Sequence, residues 1–239
     1  MSGAGALELW EAGLTMTPAA RAVLLLEAAG HPDATDWPVG LRDQVLLGSY
    51  CGAHGALSAV ADCPGCGMSM DVLLDPAQFD PAQLGSSTAA QLAVTVDHED
   101  YRLQCRLPTA GDLDDLDPHT SMDSQLEQLF SACLLHATRA GAPVERDDLP
   151  AEVIAAVERA LEEADPGADL RLDLSCAECG TQWSDELDPV RFAWTTVEQG
   201  ARRLATDVHA LAVAYGWSEG EILDLSPFRR HLYLTAVQP

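Results

Sequence analysis

Two short strings, Cys63-Pro64-Gly65-Cys66-Gly67 and Cys176-Ala177-Glu178-Cys179-Gly180, constrain the fold of this 239-residue chain more than any other feature. Each sets two thiols three positions apart, so that both can face one ion, and follows them with a glycine able to adopt the left-handed backbone of a tight knuckle. Each also lies between segments that read as short strands, with 56–62 and 68–74 flanking the first and the alternating 169–175 leading into the second. Such a ribbon surrounds one metal with four thiolates, and the expected cofactor is Zn2+ held by Cys63, Cys66, Cys176 and Cys179. The separation is unusual: 109 residues lie between Cys66 and Cys176, against roughly 15–20 in a simple ribbon. The cost of closing a loop grows only logarithmically with its length, so a folded insertion is tolerable. Spacing alone leaves two half-sites or unliganded thiols open.

Other cysteine chemistry fits less well. A redox C-x-x-C sits at a helix N-terminus, where the dipole lowers the thiol pKa, whereas both pairs here fall between strands. A catalytic zinc keeps an open coordination position, and four thiolates close it. Cys51-x-x-His54 and Cys133-x-x-His136 have ligand-like spacing but no second pair to complete a site. Cys105, on an alternating strand, reads as core. His31, His98, His119, His209 and His231 are scattered without a nucleophile in a recognisable arrangement, and no phosphate loop, H-E-x-x-H or EF-hand spacing occurs. No enzymatic activity is expected.

Charge bears on partners. Asp and Glu number 38 against 13 basic residues, all of them Arg, for a net charge of −25. Backbone phosphates are gripped by clustered cations, so a nucleic-acid partner is not expected. The run Asp112, Asp114, Asp115 and Asp117 reads as a solvated face. No apolar run approaches the roughly 18 residues of a membrane span, and Met1–Gly13 lacks the basic start of a secretory signal. With an odd count of seven cysteines, four of them in C-x-x-C pairs, the reading is a cytoplasmic protein with thiols kept for metal.

The fold expected is α+β: a small antiparallel zinc-ribbon-like core from two distant hairpins, with helices added around it. Its segments are an N-terminal helical stretch (1–55), the first knuckle with its β-hairpins (56–108), a helical insertion (109–167), the second knuckle (168–188) and C-terminal helices (189–239), gathered into one compact unit. Helices are expected over 19–29, 38–51, 121–140 (closed by Gly141), 150–164 and 188–215, with a capping box at Ser218-x-x-Glu221 and a last helix from Ser226-Pro227. Strands 92–96 and 101–107 alternate with period two.

Taken in order, CPGCG, YRLQCRLPTAGDL (101–113), CAECG, a long helix and HALAVAYGWSEGEILDLSPFRRHLYL (209–234) resemble the baseplate proteins of T-even-like phages, with relatives in the gene clusters of phage-tail-like contractile injection systems. The likeness spans most of the chain from about residue 20. It implies a non-enzymatic baseplate hub component or hub-assembly factor whose partners are baseplate and tail proteins, and it matches the four cysteines to the family's metal-binding pattern. In its Arg106-Leu107-Pro108-Thr109 string, Thr109 reads as a helix N-cap. Tyr215, Trp217, Phe228, Arg229, Arg230 and Tyr233 are of the types enriched at interface hot spots and form the candidate partner surface, unless they close the core of the last helices. The alternative function is a zinc-ribbon regulatory or nucleic-acid-binding protein, for which Arg202, Arg203, Arg229 and Arg230 are the local basic clusters.

Overall fold

The computed structural model describes residues 3–52, 57–74 and 93–237; Ala56, Leu92 and His54, which enter the readings above, lie outside them. The chain divides into two compact units, Met1–Thr17 with Arg191–Pro239, and Pro18–Val190. Helices and small antiparallel sheets are mixed, and among the described residues no helix is long and apolar enough to cross a membrane.

The larger unit begins with α2 (Pro18–Ala28), started by a proline whose fixed φ suits the first helical position and stopped at Gly30 with φ +101°. After a single 3-10 turn comes α3 (Val39–Gly52), which packs on α2 and buries Leu46 and Leu47 as α2 buries Leu25 and Leu26. The first turn of α3 is satisfied from far along the chain: buried Asp165 accepts the Gly40 N–H at 2.9 Å. Side chains are excluded there, because a Cβ at Gly40 would overlap Asp165 and one at Gly167 would overlap Gln44.

A four-stranded antiparallel sheet is built from β3 (Ala93–His98), β4 (Tyr101–Arg106), β5 (Leu134–Arg139) and β6 (Ala142–Pro143), in that order. Strand β4 shows why alternation is legible: Tyr101, Leu103 and Cys105 are buried, while Arg102 and Gln104 face solvent. Helix α6 (Ala151–Ala164) covers that face with Val153 and Val157, one turn apart, and Leu161 follows.

Between β4 and β5 lie α4 (Ala110–Asp114) and α5 (Met122–Cys133). The helix expected over 121–140 therefore ends early, and Leu134–Arg139 becomes a strand paired with β4. Gly141 does not cap a helix. It forms the β5–β6 turn with Ala140, both at positive φ (+85° and +49°), the conformation of a two-residue hairpin loop. Sheet pairing has overridden helical propensity, and residues 109–167 are not purely helical.

Two further hairpins complete this unit: β1 (Leu57–Asp62) with β2 (Ser69–Leu74), and β7 (Arg171–Ser175) with β8 (Gln182–Glu186).

The smaller unit holds α1 (Gly3–Gly13), most of α7 (Pro189–Tyr215), α8 (Glu219–Leu223) and α9 (Pro227–Val237). Its core joins Leu211, Ile222 and Leu234, with Val208, Trp217 and Tyr233 packed against them. The capping box at Ser218 and Glu221 forms as expected: Ser218 Oγ accepts the Glu221 N–H, and the Glu221 carboxylate accepts the Ser218 N–H at 2.8 Å.

Candidate metal centre

Both knuckles fold by the same local rule. In the first, the Gly67 N–H donates to the Cys63 carbonyl at 2.8 Å and the Cys63 N–H to the Met68 carbonyl at 2.9 Å. In the second, the Gly180 N–H donates to the Cys176 carbonyl and the Cys176 N–H to the Thr181 carbonyl, each at 2.9 Å. Gly67 and Gly180 hold φ at +73° and +74°, so the glycine after each second cysteine is required by the backbone. Each hairpin thereby presents one buried thiol, Cys63 or Cys176 (each 2% exposed), and one exposed thiol, Cys66 or Cys179.

The hairpins meet at their tips. Cys63 Sγ lies 3.6 Å from Cys179 Sγ, and Cys66 Sγ lies 3.7 Å from Cys176 Sγ. All four sulfurs fall within 4.8 Å of one another and could hold one metal ion. These separations far exceed a disulfide bond of about 2.05 Å, and all four cysteines are free. Each close pair joins the buried thiol of one knuckle to the exposed thiol of the other, an approximate twofold arrangement.

The electrostatics of the cluster bear on what it could hold. The Met68 backbone hydrogen bond lowers the Cys66 pKa, but Cys179, burial, Cys176 and Cys63 outweigh it and push the thiol up to about 12. Cys179 goes the other way: the hydroxyl and backbone of Thr181, then Cys63 and Cys66, hold it at about 6. One sulfur yields its proton readily and its neighbour clings to one, because adjacent thiolates repel unless a positive charge sits among them.

Two residues that sequence reasoning missed tie the knuckles together. Thr181 Oγ1 lies 3.2 Å from Cys179 Sγ, and Gly65 lies directly against Thr181, so that a Cβ at Gly65 would overlap Oγ1. The Gly65 N–H also points at Cys63 Sγ, at 3.4 Å. The available signals were the glycine within the first C-x-x-C and the threonine after Gly180, but nothing in the spacing pairs residues 116 positions apart, the difference 181 − 65.

Among the remaining candidates, Cys133 is buried at the end of α5 while His136 is exposed on β5, so they form no ligand pair. Cys105 is buried in the sheet core, as its alternation implies, and burial lifts its thiol to about 11. Thr109 caps α4 through a capping box with Asp112. Asp112 does not belong to a solvated face. Its carboxylate receives both Arg106 guanidinium nitrogens, at 2.5 and 2.6 Å, together with the Thr109 N–H at 2.8 Å.

In the smaller unit, Tyr215 stacks on Trp217 with centroids 4.6 Å apart, and Tyr233 meets both rings edge-on. Trp217 and Tyr233 pack on the core, Arg230 has a side chain only 12% exposed, and Phe228 and Arg229 stand in solvent. Compared with known proteins, the chain matches no family model, and no curated protein and no solved structure matches it.

Proposed function

We propose that this protein is a non-enzymatic structural or assembly factor, locked by one four-cysteine zinc in a ribbon-like core, that serves the baseplate hub of a phage-like contractile tail. The observation that carries the zinc assignment is the sulfur arrangement. Four thiolates around zinc at about 2.3 Å make a tetrahedron with edges of about 3.8 Å, and the two short edges here are 3.6 and 3.7 Å. Zinc would supply a cross-link and nothing reactive, since Cys63, Cys66, Cys176 and Cys179 fill all four positions. Structural zinc is worth about 10–16 kcal/mol apparent, comparable with the whole stability of a domain at about 5–15 kcal/mol.

The baseplate assignment rests on the strings at 101–113 and 209–234. The geometry gives the first of these a use: Arg106, Thr109 and Asp112 clamp the start of α4 onto the end of β4. Exposed Phe228 and Arg229 in the second offer a surface to a protein partner.

Elemental analysis with native mass spectrometry, followed by co-purification with baseplate and tail proteins of a contractile particle, tests both halves. One zinc per chain is expected, with misfolding when Cys63 or Cys179 is changed to Ser, and recovery of baseplate proteins. Iron in the four-sulfur site, or folding that survives a cysteine change, overturns the zinc staple. A zinc protein that ignores baseplate components but shifts DNA or RNA with strong salt dependence is instead the regulatory zinc ribbon.

A further inference from the structure

Helix α9 is amphipathic on the wrong side as well as the right one. Arg230, Tyr233, Leu234 and Val237 make its inward face. Its outward face, where polar residues are expected, carries Phe228 at 77% exposure and Leu232 at 55%, one turn apart. Arg229 and His231 flank this pair, and α9 contains no Asp or Glu. In a chain with a net charge of −25, this face sets an apolar pair beside Arg229 with no carboxylate on its own helix.

The complementary surface is in the same sequence. Helix α5 turns Phe130 onto the sheet core, but Met122 and Leu126 on the same side run past it and are 69% and 53% exposed. They too are one turn apart. Asp123 and Glu127 accompany them, α5 has no basic residue, and exposed Asp114, Asp115 and Asp117 precede it. Among the described residues none of Asp123, Glu127 and Arg229 is held in an ion pair, so each is available to an outside partner.

We propose that the outward face of α9 docks on the uncovered end of α5 of a second copy of this chain, Phe228 and Leu232 meeting Met122 and Leu126 while Arg229 faces Asp123 and Glu127. The two surfaces differ, so each contact pairs unlike helices. Made reciprocally, with each copy giving both helices, it is the isologous interface of a twofold dimer; made once per pair it is heterologous and gives a ring or an open series. The charge pattern sets the orientation, because α9 against α9 would bring Arg229 to Arg229 and α5 against α5 would bring carboxylates together. Two apolar anchors a side make a small interface, below the roughly 1,200 Å² of stable complexes, so the association is weak and visible only at high protein concentration.

Sedimentation velocity on the metal-loaded 239-residue chain, up to high micromolar concentration, tests this. The mass should rise reversibly above that of the 25.4 kDa monomer. Phe228→Asp should weaken association by about thirtyfold or more, as loss of a central aromatic anchor does. Arg229→Glu should weaken it as well, and so should Asp123→Arg with Glu127→Arg. Mixing those two charge-reversed proteins should restore association, because each then finds its complement in the other. All these positions are exposed and leave the four cysteines untouched, and circular dichroism and zinc content confirm that each variant is folded. A monomer at every concentration, association indifferent to Phe228→Asp, or a mixture that fails to recover overturns the proposal, including the case in which the α9 face captures only a foreign acidic protein.

Discussion

The contact between Gly65 and Thr181 makes a sharp test of how the two knuckles are coupled. Thr181→Ala removes the hydroxyl 3.2 Å from Cys179 Sγ. Loss of such a supporting partner costs about 10–100-fold in metal affinity, or about 1.4–2.7 kcal/mol. Gly65→Ala should cost at least as much by another route, since its Cβ would overlap Thr181 Oγ1 and also press on Thr181 Cβ at 3.2 Å and Cγ2 at 3.4 Å. To make room the threonine must leave, taking its hydrogen bond with it. The double variant is the informative one. With alanine at 181 both Oγ1 and Cγ2 are gone and only the Cβ contact at 3.2 Å remains, so adding Gly65→Ala should cost much less than it does beside threonine. The predicted coupling is therefore about 1–2 kcal/mol, in the range of side chains in direct contact. Competition against a chelator of known zinc affinity, on all four proteins of the cycle, measures it. Strict additivity, or a Gly65→Ala protein with native affinity, would refute the picture of one knuckle leaning on the other through this pair.

Other expectations concern the knuckle backbone and the clamp on α4. Gly67→Ala and Gly180→Ala should each lower stability by about 1–2 kcal/mol in denaturant melts; open space surrounds both positions, so the cost is conformational. For Asp112, burial alone would raise the carboxyl, but hydrogen bonds from Arg106 and Thr109 outweigh it and bring the pKa down to about 2. A depressed carboxylate stabilises fully above its unfolded pKa of about 3.9 and loses that stabilisation as pH falls through its folded value. Asp112→Asn should therefore cost about 2 kcal/mol at neutral pH, and the gap between variant and parent should close between about pH 4 and pH 2. Parallel acid titrations by circular dichroism check this, and a gap that stays constant with pH would count against the clamp.

How far the sequence can be read depends on how local the determining physics is. Knuckle glycines, the alternation of Tyr101, Leu103 and Cys105, the cap at Thr109 and the box at Ser218 and Glu221 are short-range signals, and each recurs in the structure. Leu134–Arg139 reads as helix because Gly141 serves equally well as a helix stop or a hairpin turn, and only pairing with β4 decides between them. Asp112 is lost among neighbouring aspartates, since its distinction is Arg106 across a turn. The two knuckles are legible as the halves of one four-thiolate site, and their sulfurs do cluster; the path by which the 109 residues between them bring the hairpins together has no short-range signature. Asp165 reaching Gly40, and Thr181 against Gly65, are equally long-range and have no signature in either neighbourhood.

That the four clustered cysteines come from two distant stretches of the larger unit has a consequence for biosynthesis. Cys179 follows Cys66 by 113 residues, the difference 179 − 66, and at about 5–20 residues per second of translation this is a delay of about 6–23 s. Throughout that interval a nascent chain would display two thiols with only half a coordination shell, able to take up metal weakly, exchange it or oxidise. A chain released before Cys179 would keep that open half-site and lack the cross-link between the hairpins.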